Sequence, residues 1–116
     1  MLQKESKKLV VLWTSGDREI ALKMVYPYTY NSIKMNWWEE VTFIIWGSST
    51  KLLSEDTELQ AYIARMKEIG IRLETCKFCA DSYGVSDILD KLGIEVKYMG
   101  EPLTEYLQND YKVITF

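Results

Sequence analysis

The two cysteines of the chain, Cys76 and Cys79, lie three residues apart in the segment Cys-Lys-Phe-Cys and are its strongest nucleophiles. The residues before them alternate as in a strand, and those after them are typical of a helical turn. Cys76 is therefore expected at a strand end and Cys79 near a helix start. Free backbone N–H groups there favour an anion, which predicts lowered thiol pKa values. Lys77 would add positive charge, and the pair would supply a thiolate nucleophile.

Other interpretations of the cysteine pair remain open. Both residues could be inert, because free cysteine also packs as a small hydrophobe. Thioredoxins share the Cys-x-x-Cys spacing, but they carry it early in the chain and need a later cis-proline loop. The only later proline here, Pro102, fits the first turn of a helix. Two thiolates are half of a tetrahedral zinc site, and no other cysteine or histidine completes it. We expect no metal and no cofactor.

The composition excludes several function classes. The chain has no histidine, which removes Ser-His-Asp triads, Cys-His pairs and imidazole acid–base chemistry. Lys plus Arg is 14 and Asp plus Glu is 17, giving a net charge of -3. A mildly acidic chain without a basic cluster argues against a nucleic-acid partner, because phosphate neutralisation needs cations.

The N-terminal region and the cysteine spacing predict a cytoplasmic protein without a membrane partner. No apolar run approaches the ~20 residues that span a bilayer. The apolar run of residues 9–13 follows a charged segment and is too short for a signal peptide, so it is interpreted as a first strand. Cysteines this close together cannot cross-link distant parts of a fold, and both thiols are expected to be reduced at rest. The 116 residues are expected to form one domain.

Alternating elements along the chain predict an α/β fold with a parallel sheet and helices on both faces. Continuously apolar runs are typical of strands that are covered on both sides. The predicted strands are residues 9–13, 41–46, 71–76, 94–98 and 111–116. Pro27 is expected to kink or break the first helix, Ser54 to begin the second, and residues 102–108 to form the last.

Two further loops are expected beside the cysteine loop, beyond the carboxyl ends of the strands, where open parallel sheets bind ligands. One contains Thr14 and Ser15, and the other contains Gly47 and Ser48, followed by Ser49 and Thr50. Their backbone N–H groups are candidates for binding a small anionic substrate, with Lys77 contributing from the third loop. The alternative is that these residues are ordinary helix caps and turn residues.

Five segments, in their order and spacing, carry a resemblance to a known family. They are LVVLW at 9–13, VTFIIWG at 41–47, GIRL at 70–73 leading into Cys76, ADSYGV at 80–85 and MGEPLT at 99–104. With them the chain resembles, over nearly its whole length, the DsrE-like family of small sulfur-handling proteins.

The resemblance implies a three-layer α/β/α domain with a five-stranded, mostly parallel sheet. It also implies a homo-oligomer, a trimer or a hexamer. In sulfur-relay members a cysteine after the third strand accepts sulfur as a persulfide and passes it from a donor to an acceptor protein. Cys76 matches that position, and Cys79 is an additional thiol that could resolve the persulfide. We therefore expect a sulfur carrier or sulfurtransferase-like protein. A dithiol redox protein and a non-catalytic oligomeric binding module remain alternatives.

Overall fold

A parallel sheet of five strands forms the middle layer of the protein. The structure is a computed structural model and describes residues 7–116; the first six residues, used above in judging a signal peptide, lie outside that range. The strands are β1 (Lys8–Trp13), β2 (Glu40–Ile45), β3 (Arg72–Cys76), β4 (Glu95–Lys97) and β5 (Lys112–Thr115). They lie in the order β4-β3-β2-β1-β5, and every neighbouring pair is parallel. The predicted α/β architecture is confirmed, with strand ends shifted by at most one residue.

Six helices connect these strands within residues 7–116. The first, α1, consists of three consecutive segments, Arg18–Ile20, the π-helical Ala21–Val25 and Tyr26–Lys34. The others are α2 (Ser48–Glu55), α3 (Thr57–Glu68), α4 (Lys77–Tyr83), α5 (Ser86–Lys91) and α6 (Gly100–Gln108).

The strand order places the helices unequally on the two faces of the sheet. The chain steps from β1 to β4 in one direction, so right-handed crossovers put α1 to α5 on one face. The last connection returns from β4 to β5 beside β1 and puts α6 alone on the opposite face. The thick side buries an aromatic cluster of Trp13, Tyr26 and Phe43, with ring centroids 5.0 to 5.7 Å apart. The thin side buries a small cluster that includes Cys76 and Tyr106. The result is the predicted three-layer sandwich.

The first helix continues through Pro27, where a kink or a break is expected. The preceding segment Ala21–Val25 forms a π-helical turn, and the N–H of Tyr26 bonds to the carbonyl of Ala21. A proline ring would clash with the carbonyl one turn earlier in a regular α-helix, and the wider turn relieves this clash. The proline therefore distorts the helix locally and does not end it.

The serine-rich segment after β2 begins a helix, which corrects the prediction of a loop followed by a helix start at Ser54. Gly47 precedes the first turn of α2, and Ser54 lies inside that helix. The next helix, α3, begins after Asp56, whose carboxylate accepts the N–H of Leu59 at 3.0 Å. Serine and aspartate are comparably good N-cap residues, but Ser54 lies in the last turn of α2, where its hydroxyl donates to the carbonyl of Lys51 at 2.7 Å, so Asp56 caps the next helix.

Candidate functional site

The loops after β1 and β2 meet at the carboxyl edge of the sheet, as their predicted positions require. The N–H of Trp46 bonds to the carbonyl of Trp13 at 3.1 Å, and the N–H of Ser49 bonds to that of Thr14 at 3.3 Å. The hydroxyl of Ser49 donates to the carbonyl of Trp13 at 2.6 Å. These bonds hold the loop of Gly47 against the end of β1, and the parallel pairing of β2 with β3 places the same loop beside the cysteines.

The two thiols contact each other at the end of β3. Cys76 is the last residue of the strand and the N-cap of α4, and Cys79 lies one helical turn later. The thiol of Cys79 is hydrogen-bonded to that of Cys76 and accepts the backbone N–H of Gly47. Cys76 is only 4% exposed and packs on the thin side with Ile44 and Met99, whereas Cys79 is half-buried. One thiol of the pair is therefore covered and the other is open to solvent.

The pKa of the Cys79 thiol is raised, contrary to the expectation of a helix-lowered value. Burial is the main cause, because removing water from the thiol disfavours its charged form. The N–H of Gly47 acts in the opposite direction by stabilising a thiolate, and the neighbouring Cys76 raises the pKa further. The helix that begins at Cys76 has only seven residues, and its N-terminus does not compensate for the loss of water.

The cation of Lys77, expected to add positive charge to the cysteine loop, is paired with other groups of the protein. Its ammonium forms an ion pair with Asp81 at 2.7 Å, one turn along the exposed side of α4. The same nitrogen lies 5.8 Å from the ring centroid of Tyr98. Residues four apart face the same side of a helix, which explains why Asp81 is the partner of Lys77.

Of the polar residues predicted to bind substrate, Thr14 and Ser15 form bonds within the fold. The N–H and the hydroxyl of Thr14 both donate to the carbonyl of Phe116, at 2.7 and 2.9 Å, and so hold the end of the chain. The hydroxyl of Ser15 accepts the N–H of Asp17 at 3.0 Å, as turn residues do. These contacts favour the cap and turn interpretation.

Gly47 and Ser48 lie closer to the chemistry of the site. Gly47 has φ +76° and ψ -144°, a conformation that only glycine adopts readily, and it directs its N–H to Cys79. Ser48 is exposed, and its Cβ leaves little room for a side chain at Gly16. The structure thus brings Gly47 to the thiol pair and leaves Ser48 on the outer surface of the same loop.

A buried carboxylate lies on the same face of β3 as Cys76, and the sequence analysis does not include it. Glu74 is 1% exposed; one of its oxygens accepts Lys97 Nζ and the other accepts the hydroxyl of Tyr106, both at 2.7 Å. Arg72 also bonds to Tyr106. Burial alone would lower the pKa of Lys97, but the bond to Glu74 raises it overall. The signal in the sequence is an acid two positions before Cys76, which strand alternation places on the thiol's face.

This carboxylate forms the floor of an open groove of about 710 Å³ between α6 and the edge of the sheet. The groove has a mixed lining of acidic, basic and aromatic side chains. Its lining residues are Lys8, Arg72, Glu74, Glu95, Lys97, Pro102, Glu105, Tyr106, Asn109 and Tyr111. Within this groove, the carboxylate of Glu74 is paired with Lys97 and hydrogen-bonded to Tyr106. These contacts link α6 to the sheet and so stabilise the thin layer that covers Cys76.

Comparison with known proteins identifies the family. The DsrE/DsrF-like family matches residues 7–116, nearly the whole chain. The chain belongs to that family. The resemblance inferred from the sequence is confirmed, and the thiol pair lies at the sheet edge of a DsrE/DsrF-like domain.

Solved structures agree with this assignment. The chain is 41% identical to a conserved protein of unknown function, BT1422 from Bacteroides thetaiotaomicron, with a TM-score of 0.92 and 95% of each chain covered. It shares the fold of MTH1491, a protein of unknown function from Methanobacterium thermoautotrophicum, at 16% identity and a TM-score of 0.78, covering 94% of this chain and 98% of the other. It also shares the fold of the ychN protein of E. coli, at 18% identity and a TM-score of 0.69, covering 96% and 99%. No curated protein matches the sequence. Within the described residues, no helix is long and apolar enough to cross a membrane.

Proposed function

We propose that this protein is a sulfur carrier of sulfurtransferase type, in which Cys76 holds a persulfide and Cys79 is the auxiliary thiol. The observation that carries the proposal is the contact between the two thiols at the carboxyl edge of the sheet, beside the N–H of Gly47. Membership of the DsrE/DsrF-like family supports it. The proposed setting is the cytoplasm, because loading requires a reduced thiol at rest.

The loading step is a transfer of sulfane sulfur between thiols. The Cys76 thiolate attacks the terminal sulfur of a donor persulfide R–S–SH, a new S–S bond forms, and the donor's S–S bond breaks. The electron pair of the broken bond leaves with the donor as R–S⁻, which takes up the proton lost by Cys76. The chain gains one sulfur atom, and the reverse reaction with an acceptor thiol unloads it.

The unequal burial of the two thiols suits a carrier. A persulfide on Cys76 would lie against Ile44 and Met99 and be shielded from bulk solvent. The donor and the acceptor would approach from the side of Cys79, which is more exposed. Phe78 and Tyr98 are 68% and 65% exposed near the cysteine loop, and we propose that such apolar side chains contact partner proteins or other copies in a homo-oligomer.

Intact mass tests this proposal. The reduced wild type, Cys76→Ser and Cys79→Ser are exposed to one equivalent of glutathione persulfide, desalted and weighed within the first minute. We expect the wild type and Cys79→Ser to gain the mass of one sulfur atom and Cys76→Ser to gain none. Uptake by Cys76→Ser equal to that of the wild type would contradict the assignment of Cys76.

A dithiol redox protein is the second candidate, favoured by the same contact between the thiols. It predicts that oxidised glutathione converts the wild type to a disulfide, while glutathione persulfide adds no sulfur to Cys79→Ser. The two functions are therefore separated by the behaviour of a single variant that keeps only Cys76.

A further inference from the structure

We infer that the pair also discharges its own persulfide, with Cys79 attacking the persulfide on Cys76 to form an intrachain disulfide and release sulfide. This inference rests on the proposed carrier function and adds a reductase activity to it. A chain with this activity is a carrier with a limited holding time, because sulfur that no acceptor removes leaves as sulfide.

The geometry selects the inner sulfur of the persulfide as the target. Cys79 lies one helical turn after Cys76, and its sulfur already contacts the Sγ of Cys76, the atom that becomes the inner sulfur. The added sulfur extends beyond that contact. Attack at the inner atom expels hydrosulfide, which leaves more readily than an alkyl thiolate because it is the weaker base.

The backbone around the pair keeps the two sulfurs together. Cys76 is held in the sheet by β3, and the hydroxyl of the preceding Thr75 donates to the carbonyl of Ile45 at 2.8 Å. Cys79 is held in the first turn of α4 and by the N–H of Gly47. A positioned neighbouring thiol reacts far faster than one that must diffuse to the site.

The two steps balance in atoms and electrons. Loading converts R–S–SH and the Cys76 thiol into R–SH and the Cys76 persulfide. Discharge forms the Cys76–Cys79 bond and breaks the bond between Cys76 and the outer sulfur, whose electron pair leaves as hydrosulfide. The proton of Cys79 goes to that hydrosulfide, giving H₂S. The sulfane sulfur is reduced, the two thiols are oxidised to a disulfide, and an external dithiol must reduce the pair before the next turnover.

A time course of mass and released sulfide tests the discharge. Wild type and Cys79→Ser are loaded with one equivalent of glutathione persulfide and desalted. We expect the sulfur adduct of the wild type to decay to a species lacking two hydrogens, with one sulfide released per chain. The adduct of Cys79→Ser should decay on the order of a hundredfold more slowly, because it lacks the positioned thiol.

The controls separate the two proposals. Cys79→Ala should retain its adduct as Cys79→Ser does, and thermal unfolding of each variant shows that it is folded. Adducts of equal lifetime in wild type and Cys79→Ser would overturn the discharge and leave the carrier function intact. The absence of any adduct on Cys79→Ser and Cys79→Ala, both folded, would overturn the carrier function itself.

Discussion

The hydroxyl of Tyr106 is expected to stabilise the thin layer of the fold, and Tyr106→Phe removes that hydroxyl alone. The hydroxyl donates to Glu74 at 2.7 Å, and Glu74 is 1% exposed. In the variant, the ion pair of Glu74 with Lys97 at 2.7 Å remains, but one carboxylate oxygen loses its donor. Glu74 is only 1% exposed, so in the variant water reaches this oxygen only by entering the space that the hydroxyl leaves beside the groove.

The size of the effect follows from the charge and burial of the acceptor. A hydrogen bond to a buried charged group contributes about 2 kcal/mol, more than a neutral one, and the unpaired oxygen adds a desolvation cost. For a domain of 116 residues, about 2 kcal/mol corresponds to a fall in Tm of roughly 8 °C. In Glu74→Gln, less of the stabilising free energy of this hydrogen bond would be lost, because the amide oxygen still accepts the hydroxyl of Tyr106.

Tyr26→Phe is the matched control, because Tyr26 is fully buried and its hydroxyl has no hydrogen-bond partner within residues 7–116. Removing an unpaired buried hydroxyl should leave stability unchanged or raise it by up to about 1 kcal/mol. Urea unfolding of the wild type and both variants measures the difference, with the slope m checked for a common two-state transition. Equal effects of the two substitutions, or a loss below about 0.5 kcal/mol for Tyr106→Phe, would refute this account of the Glu74 network.

Three further predictions concern a helix cap, a glycine and a thiol. The pKa of Asp56 is lowered from its ordinary 3.8, because the N–H of Leu59 and the charge of Arg18 outweigh the opposing effect of burial. The charge of Asp56 therefore stabilises the fold above pH 3.8. Asp56→Asn keeps the helix cap but removes the charge. In urea titrations, the free energy of unfolding of the wild type should exceed that of Asp56→Asn above pH 3.8, and the difference should vanish as the pH falls below that value. Gly47→Ala should lower the free energy of unfolding in urea by about 1–3 kcal/mol, because φ is +76° at this position. A decrease no greater than that of an ordinary surface substitution would contradict the assigned backbone strain. In the wild type, alkylation of Cys79 by iodoacetamide should continue to accelerate beyond pH 9.0, because burial and the neighbouring Cys76 raise the pKa of that thiol. Tryptic cleavage after Lys77 separates the two cysteines for mass spectrometry, and a plateau for Cys79 at lower pH would oppose this.

The sequence by itself determined the elements of the fold and the family. Continuous apolar runs such as residues 9–13 indicate strands covered on both faces, and their alternation with helical segments implies a parallel sheet. Local signals of this kind predict the helices and strands, because they depend only on residues a few positions apart in the sequence. Where two local signals competed, the prediction of a helix start was wrong, because Asp56 and not Ser54 is the N-cap of the helix. Pro27 does disturb the first helix as expected, and the structure shows the form of the disturbance, a π-helical turn directly before it.

The tertiary structure decided which side chains meet. The contact between Cys79 and the N–H of Gly47 joins loops that are far apart in sequence, and it depends on β2 lying beside β3. The raised pKa of Cys79 depends on burial by those loops, which composition does not record. Glu74 and Tyr106 are 32 residues apart and meet only because the last crossover places α6 on the opposite face. Spacing along a chain predicts neighbours within an element, whereas contacts between elements follow from strand order and packing.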